Sequence, residues 1–200
     1  MNNPFDFFDA VFCITIDPES KRFQISTAQF KELGIKAEIL RSKATNPSQE
    51  GCAWGHQECV RLAKERGCRN VFIFEDDVLF INYDAPTLSS AIQALPRDWE
   101  LFFLGGTIRW PHNIKQIAPN LLNVRVVENH AYAVNSSAFD KILSWKIQPS
   151  SHVTAYHSKL CESFLVNPLM AVQLDPRKPR ATSRSMLAFN KAKYISKKFT

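Results

Sequence analysis

Along this chain apolar residues come in short unbroken blocks separated by polar segments of helical or turn character. Residues 10–16 (Ala-Val-Phe-Cys-Ile-Thr-Ile) and 71–74 (Val-Phe-Ile-Phe) are continuous apolar runs of a length that suits strands buried on both faces of a sheet. Asp17-Pro18-Glu19-Ser20 breaks the first run, and Ser20 is placed to cap a helix with Phe23, Ala28, Phe30 and Leu33 among its apolar positions and Gly34 at its end. Residues 36–40 alternate and predict a second, shorter strand; the polar stretch 41–50, with Pro47, predicts a loop. A helix is predicted over residues 51–66, where Cys52, His56, Cys59, Val60 and Ala63 fall at roughly helical spacing before Gly67. Beyond the 71–74 strand the pattern predicts a helix over 86–95, a strand over 99–104, and a loop over 107–120. It continues with short strands over 124–127 and 131–134 and a helix over 138–145. Residues 149–157 read as irregular, 160–166 as helical and 169–174 as a last strand. Strands alternating with helices predict an α/β sheet, mostly parallel in its first half.

Composition narrows this picture. Two hundred residues with 45% apolar content and 15 Phe suffice for one domain with a bulky core. The net charge of +6 is unevenly spread: residues 177–200 carry eight Lys and Arg and no acid, which leaves residues 1–176 at −2. The division predicted is therefore a globular domain over 1–176 and a basic C-terminal tail over 177–200. A near-neutral domain argues against a nucleic-acid-binding core. In the tail, Lys191, Lys193, Lys197 and Lys198 interleave with Phe189, Tyr194, Ile195 and Phe199, a mixture that suits contact with an anionic membrane surface or a solvated terminus. No apolar run is long enough to span a bilayer, and the N-terminus lacks a secretory pattern, so a cytoplasmic location, peripheral on the inner membrane face, is expected. The five cysteines are odd in number and form no Cys-x-x-Cys pair, which argues for free thiols over a disulfide framework or a zinc site.

The densest candidate chemistry is Glu75-Asp76-Asp77 at the end of the second apolar run. In an extended strand Glu75 and Asp77 share one face and Asp76 takes the other. Paired carboxylates at a strand end, where open α/β sheets bind ligands, make a seat for a hard divalent cation. A solvated acidic turn is the other reading of the same triplet.

Several segments then line up in order: Arg22 after the first strand; Arg41-Ser42-Lys43-Ala44 after the second; Gly51-Cys52-Ala53-Trp54-Gly55-His56 in the helical stretch; Phe-Ile-Phe before Glu75-Asp76-Asp77; Leu104-Gly105; His130-Ala131-Tyr132-Ala133-Val134; and Val166-Asn167-Pro168-Leu169. Together, over about residues 10–185, they resemble glycosyltransferase family 25, which includes lipooligosaccharide galactosyltransferases and the collagen galactosyltransferase domain. The resemblance implies a GT-A-type fold, a Rossmann-like mixed sheet flanked by helices in a single domain. It implies an inverting transfer of a sugar such as galactose from a UDP-sugar to a glycan or glycolipid such as lipopolysaccharide, with Mn2+ or Mg2+. On that match Asp77 ligates the cation bridging the phosphates, Glu75 reaches the cation or the ribose, and Asp76 serves as a sugar-side catalytic group. Ile16, Asp17, Arg22, Arg41, Ala44, Gly51 and His56 fall on the donor side. The Gly51 to His56 segment would open a helix and offer backbone N–H groups there. His130 and Tyr132 fall on the acceptor-side strand. Three positions depart from the family pattern: Ile14-Thr15-Ile16 replaces Ile-Asn-Leu, Gly55-His56 replaces Ser-His, and the Asp expected after a Pro is missing from Pro149-Ser150-Ser151-His152. An inverting transfer needs a base at the acceptor hydroxyl, and His152 is the candidate to supply it, an exposed loop histidine being the other reading. Two further functions suit the same residues: a non-catalytic nucleotide- or sugar-binding protein on this fold, and a metal-dependent phosphohydrolase.

Overall fold

The structure, a computed structural model, describes residues 3–109, 113–148 and 152–174. The expected domain boundary near 176 and the whole basic tail lie outside these residues. After a 3-10 turn at Pro4–Phe7, the elements run β1 (Ala10–Thr15), α1 (Lys21–Glu32), β2 (Glu38–Arg41), α2 (Ser48–Glu65), β3 (Asn70–Glu75), β4 (Val78–Phe80), α3 (Ala85–Gln93), β5 (Leu101–Phe103) and β6 (Thr107–Ile108). They continue with β7 (Lys115–Ala118), β8 (Leu121–Asn123), β9 (Val126–Val127), β10 (Ala131–Asn135), α4 (Phe139–Leu143), α5 (Val153–Leu160), β11 (Ser163–Val166) and β12 (Ala171–Gln173).

The main sheet has eight strands in the order β2-β1-β3-β10-β5-β11-β8-β7. The β1–β2, β1–β3 and β5–β11 pairs are parallel, whereas β10 runs antiparallel between β3 and β5. This is the Rossmann-like mixed sheet flanked by helices that the sequence implied. Alternate residues of each central strand enter opposite cores. Val71 and Ile73 pack with Cys59, Val60 and Ala63 of α2 and with Phe139 and Ile142 of α4. Phe72 and Phe74 face the other way, with Phe5, Phe8, Phe30 of α1 and Leu88 of α3. The phenylalanines account for much of the second layer: Phe72 and Phe74 stand 4.5 Å apart, and Phe5, Phe30 and Phe80 surround them. Truncating either ring to alanine removes contacts on every side, a change that typically costs about 3–5 kcal/mol.

Helix boundaries follow local chemistry. The Ser20 side chain accepts from the Phe23 N–H at 3.4 Å and Gly34, at φ 67°, ends the turn after α1. Asp84 caps α3 through the Thr87 N–H at 2.9 Å. Three expectations fail. The helix expected over 160–166 is not there: Leu160 ends α5, Ser163 to Val166 are all buried and extended between β5 and β8, and a short apolar run has no periodicity that separates strand from helix. Within 149–157, read as irregular, Val153 begins α5, whose buried positions, Val153, His157 and Ser158, are too polar to register as an amphipathic stripe. The 107–120 stretch, read as loop, contains β6 and β7.

Behind β3 the chain turns at Asp76-Asp77 and leaves the main sheet: β4 pairs antiparallel with β12 in a separate two-stranded ribbon. The crossing is close-packed at Gly105, where a Cβ would stand 1.9 Å from the Ala171 carbonyl oxygen and 2.9 Å from His130 Nε2. Gly105→Ala is therefore expected to destabilise the protein by about 1–3 kcal/mol, as overpacking against backbone does, read as a lowered denaturation midpoint.

Candidate active site

The three carboxylates sit where β3 ends, and each meets a different element. Glu75, the last strand residue, accepts from His56 Nε2 of α2 at 3.1 Å. Asp76 accepts from the Thr15 hydroxyl at 2.6 Å and pairs with Arg22 of α1 at 3.0 Å. Asp77 accepts from the Gln173 side chain at 3.0 Å, while its carbonyl receives the Leu174 N–H at 2.7 Å. Ser26, fully buried on α1, bridges the carbonyls of Asp76 (3.0 Å) and Val78 (2.9 Å) and so holds the turn. Strict strand alternation stops at Glu75 because the strand does. All three side chains line one cavity of about 90 Å³, together with Ile14, Thr15, Ile16, Arg22, Ser42, Cys52 and His56.

Their electrostatics differ. Burial disfavours ionised Glu75, but the hydrogen bond from His56, with electrostatic attraction from the surrounding basic residues, outweighs it and holds the carboxyl below its ordinary pKa. Burial raises Asp76, with the Thr15 bond and Arg22 pulling in the opposite sense. Asp77 is pushed up to about 7 by burial and by repulsion from Glu75. Its Oδ1 is buried with no hydrogen-bond partner. That oxygen is left without a donor, a deficit that a divalent cation would fill.

Of the remaining donor-side candidates, Ile16 and Arg22 line the cavity, whereas Asp17, Arg41 and Ala44 are exposed and absent from its wall. Asp17 instead accepts from the Glu19 N–H at 3.0 Å. Gly51 and His56 do not open a helix, because α2 starts three residues earlier, at Ser48. The Gly51 N–H is taken by the Thr45 hydroxyl at 2.7 Å, and a Cβ there would lie 2.1 Å from the Lys43 carbonyl oxygen, so Gly51 admits the incoming loop. His56 is a fully buried mid-helix residue that also carries a polar contact to the site. Its Nε2–H donates to Glu75, which leaves Nδ1 to accept from the Tyr132 hydroxyl at 3.0 Å. Burial raises Tyr132 well above its ordinary pKa, so it stays a phenol.

A second cavity of about 260 Å³ adjoins the first through their shared walls at Cys52 and Glu75, and it is also lined by Ser48, Glu128, Asn129, His152, Thr154 and Gln173. His152 is exposed and immediately precedes α5. Glu128 has φ 77°, a left-handed conformation that non-glycine residues seldom adopt outside functional sites and turns. Beneath it, Asn129 joins Thr154 (3.0 Å) to His157 Nδ1 (2.8 Å). Burial pushes His157 down to about 3, so it is neutral and structural. His130 is likewise held below its ordinary pKa by burial, against the opposing charge of Glu75. Sequence reasoning missed Thr15, Ser42, Cys52, Glu128 and Gln173 as wall residues. For Gln173 no local signal exists, since 96 residues separate it from Asp77. A further cavity, about 440 Å³ between Arg109, Arg125 and Glu162, lies by the N-terminal end of β11, at the strand ends opposite the carboxylates.

No protein-family model matches the chain, and no curated protein matches it in sequence. Among solved structures it is similar to A197 from STIV at 12% identity and a TM-score of 0.56, covering 86% of this chain and 91% of that one. That likeness shows the fold. Two weaker similarities are to a glycosyltransferase involved in glycosylation of the major capsid of PBCV-1 (TM-score 0.41, 8% identity, 66% of this chain and 62% of that one) and to UDP-glucose pyrophosphorylase complexed with UDP-glucose (TM-score 0.47, 12% identity, 96% and 82%). Neither is close enough to carry an argument about this site.

The raised pKa of Asp77 sets a pH dependence. An acid whose folded pKa lies above its unfolded value stabilises the fold fully below pH 4, and that contribution is lost as pH rises through about 7. Asp77→Asn abolishes this loss, so its denaturation midpoint is expected to gain on wild type between pH 5 and pH 8 in metal-free buffer, with the gap closing toward pH 4.

Proposed function

We propose that this protein is a metal-dependent, inverting glycosyltransferase that moves a sugar from a UDP-sugar to a glycan or glycolipid acceptor. The observation that carries this reading is the buried, unpartnered oxygen of Asp77 beside Glu75 at the carboxyl end of a central strand. Two oxygen ligands there fit Mn2+ or Mg2+, which as a Lewis acid neutralises the charge of a departing diphosphate. The family resemblance of the quoted motifs and a Rossmann-like sheet support the same reading.

The chain's own residues divide the work. Thr15, Ile16 and Arg22 form the donor wall, and Arg22, ion-paired with Asp76 yet partly exposed, offers a guanidinium to a phosphate. Glu75 is held ionised and oriented by His56, which Tyr132 holds in turn. Asp76 anchors the turn from the α1 side through Thr15 and Arg22, and on the sugar side it would restrict how the donor sits. The second cavity is the acceptor site. His152 and Glu128 are on its wall, and one of them would take the proton of the acceptor hydroxyl as it attacks the anomeric carbon and the diphosphate leaves from the opposite face. Galactose as the sugar and lipopolysaccharide as the acceptor rest on the family resemblance, and proposed action at the cytoplasmic face of a membrane rests on the interleaved basic and apolar residues of the tail. Among the described residues no helix is long and apolar enough to cross a membrane.

Calorimetric titration of UDP with and without manganese tests the reading. Binding is expected to require the cation and to weaken at least 100-fold in Asp77→Ala. Manganese-independent binding, or none, overturns it. On the acceptor side, His152→Ala and Glu128→Gln are expected to leave UDP affinity unchanged. The variant that removes the base should slow transfer about 10²–10⁴-fold, read from single-turnover sugar transfer.

A further inference from the structure

Cys52 is an unabsorbed feature of the site. It lies one helical turn before His56 on α2, so both side chains project from one face. That face meets Glu75. The Cys52 thiol, a His56 ring nitrogen and a Glu75 oxygen all lie within 4.8 Å of one another. The residues are not sealed: Cys52 and Glu75 are half-buried and border both cavities.

We propose that Cys52, His56 and Glu75 form a binding site for a thiophilic divalent cation of the zinc type, with a fourth position open to water from the cavity. The donor set decides the metal class. Magnesium and manganese favour oxygen, whereas a thiolate, an imidazole and a carboxylate together suit a borderline-soft tetrahedral ion. The His56–Glu75 spacing agrees with this class. With bonds of about 2.0–2.1 Å, nitrogen and oxygen ligands of tetrahedral zinc stand about 3.3 Å apart, and His56 Nε2 and Glu75 Oε1 are 3.1 Å apart. The ion takes the place of the proton these two atoms share. The ring stays neutral by taking a proton at Nδ1 in place of the one displaced from Nε2, and the Tyr132 hydroxyl, 3.0 Å away, turns from donor to acceptor toward it. The ring is thus oriented by its outer nitrogen, as metal-bound histidines generally are. The Cys52 thiol releases its proton to solvent on binding.

This site needs no nucleotide and stands whether or not glycosyl transfer does. Where the nucleotide reading holds, Glu75 is common to both cations, and a thiophilic ion excludes the hard one.

The test uses the full chain, freed of metal with a chelator and titrated with Co2+ as a spectroscopic probe. One equivalent is expected to produce tetrahedral d–d bands and a thiolate-to-cobalt charge-transfer band, both removed by added zinc. Cys52→Ser should lose the charge-transfer band, Glu75→Gln should weaken binding at least tenfold, and Cys68→Ser, away from the site, should change neither. Because a variant can fail to fold, wild type is also alkylated with and without zinc and its modified cysteines mapped by mass spectrometry. Zinc should protect Cys52. Absence of the charge-transfer band, its persistence in folded Cys52→Ser, or alkylation of Cys52 unaffected by zinc each overturns the proposal.

Discussion

Three consecutive carboxylates cannot share the end of a buried strand unless their charges are answered separately, and the arrangement around β3 follows from that constraint. Glu75 is answered by a helix on one face of the sheet, through His56. Asp76 is answered from the other face, by Thr15 of β1 and Arg22 of α1. Asp77 receives one hydrogen bond, from Gln173 of the returning β12, and keeps an oxygen without a partner. The deficit is local and directional: it sits on the carboxylate farthest along the turn, facing the cavity. An unanswered carboxylate oxygen of this kind is what a divalent cation would bind.

The surrounding packing makes this arrangement rigid. His56 cannot swing away from Glu75, because it is wholly buried and Tyr132 engages its other nitrogen while stacking on Phe103 at 5.3 Å. Tyr132 is held by β10, the antiparallel strand that pairs with both β3 and β5. The reversed strand therefore has a mechanical consequence: it places a side chain from late in the chain directly under a carboxylate from the middle. The β4–β12 ribbon does the same from the other direction, and the glycine at 105 allows the two backbones to approach closely enough for Gln173 to reach Asp77.

The two joined cavities give the site a direction. One is small and acidic with an arginine at its rim; the other is larger, contains His152 and the strained Glu128, and shares the Glu75 wall. A donor in the first and an acceptor in the second would meet at Glu75. Cys52 stands at the same junction, and its thiol distinguishes this cavity from an all-oxygen cation site.

The sequence by itself determined the strands at 10–16 and 71–74, the helices after Ser20 and Pro86, the α/β class and the acidic triplet. Each rests on local physics: continuous apolar runs, capping side chains, and charge that has to end a buried strand. It also singled out His56 and Arg22, which proved to touch Glu75 and Asp76. What it read wrongly were segments with weak local preference. The Ser163 to Val166 run is too short to show a period, and α5 is too polar to show a stripe, so packing against neighbours decided both. Only the tertiary structure could bring Thr15, Glu128 and Gln173 to the site, because their partners lie tens of residues away and no spacing rule relates them. It alone separated the three carboxylates into one held ionised, one anchored and one with an oxygen left unpartnered, since that distinction depends on which element each side chain meets and how much water it loses in doing so.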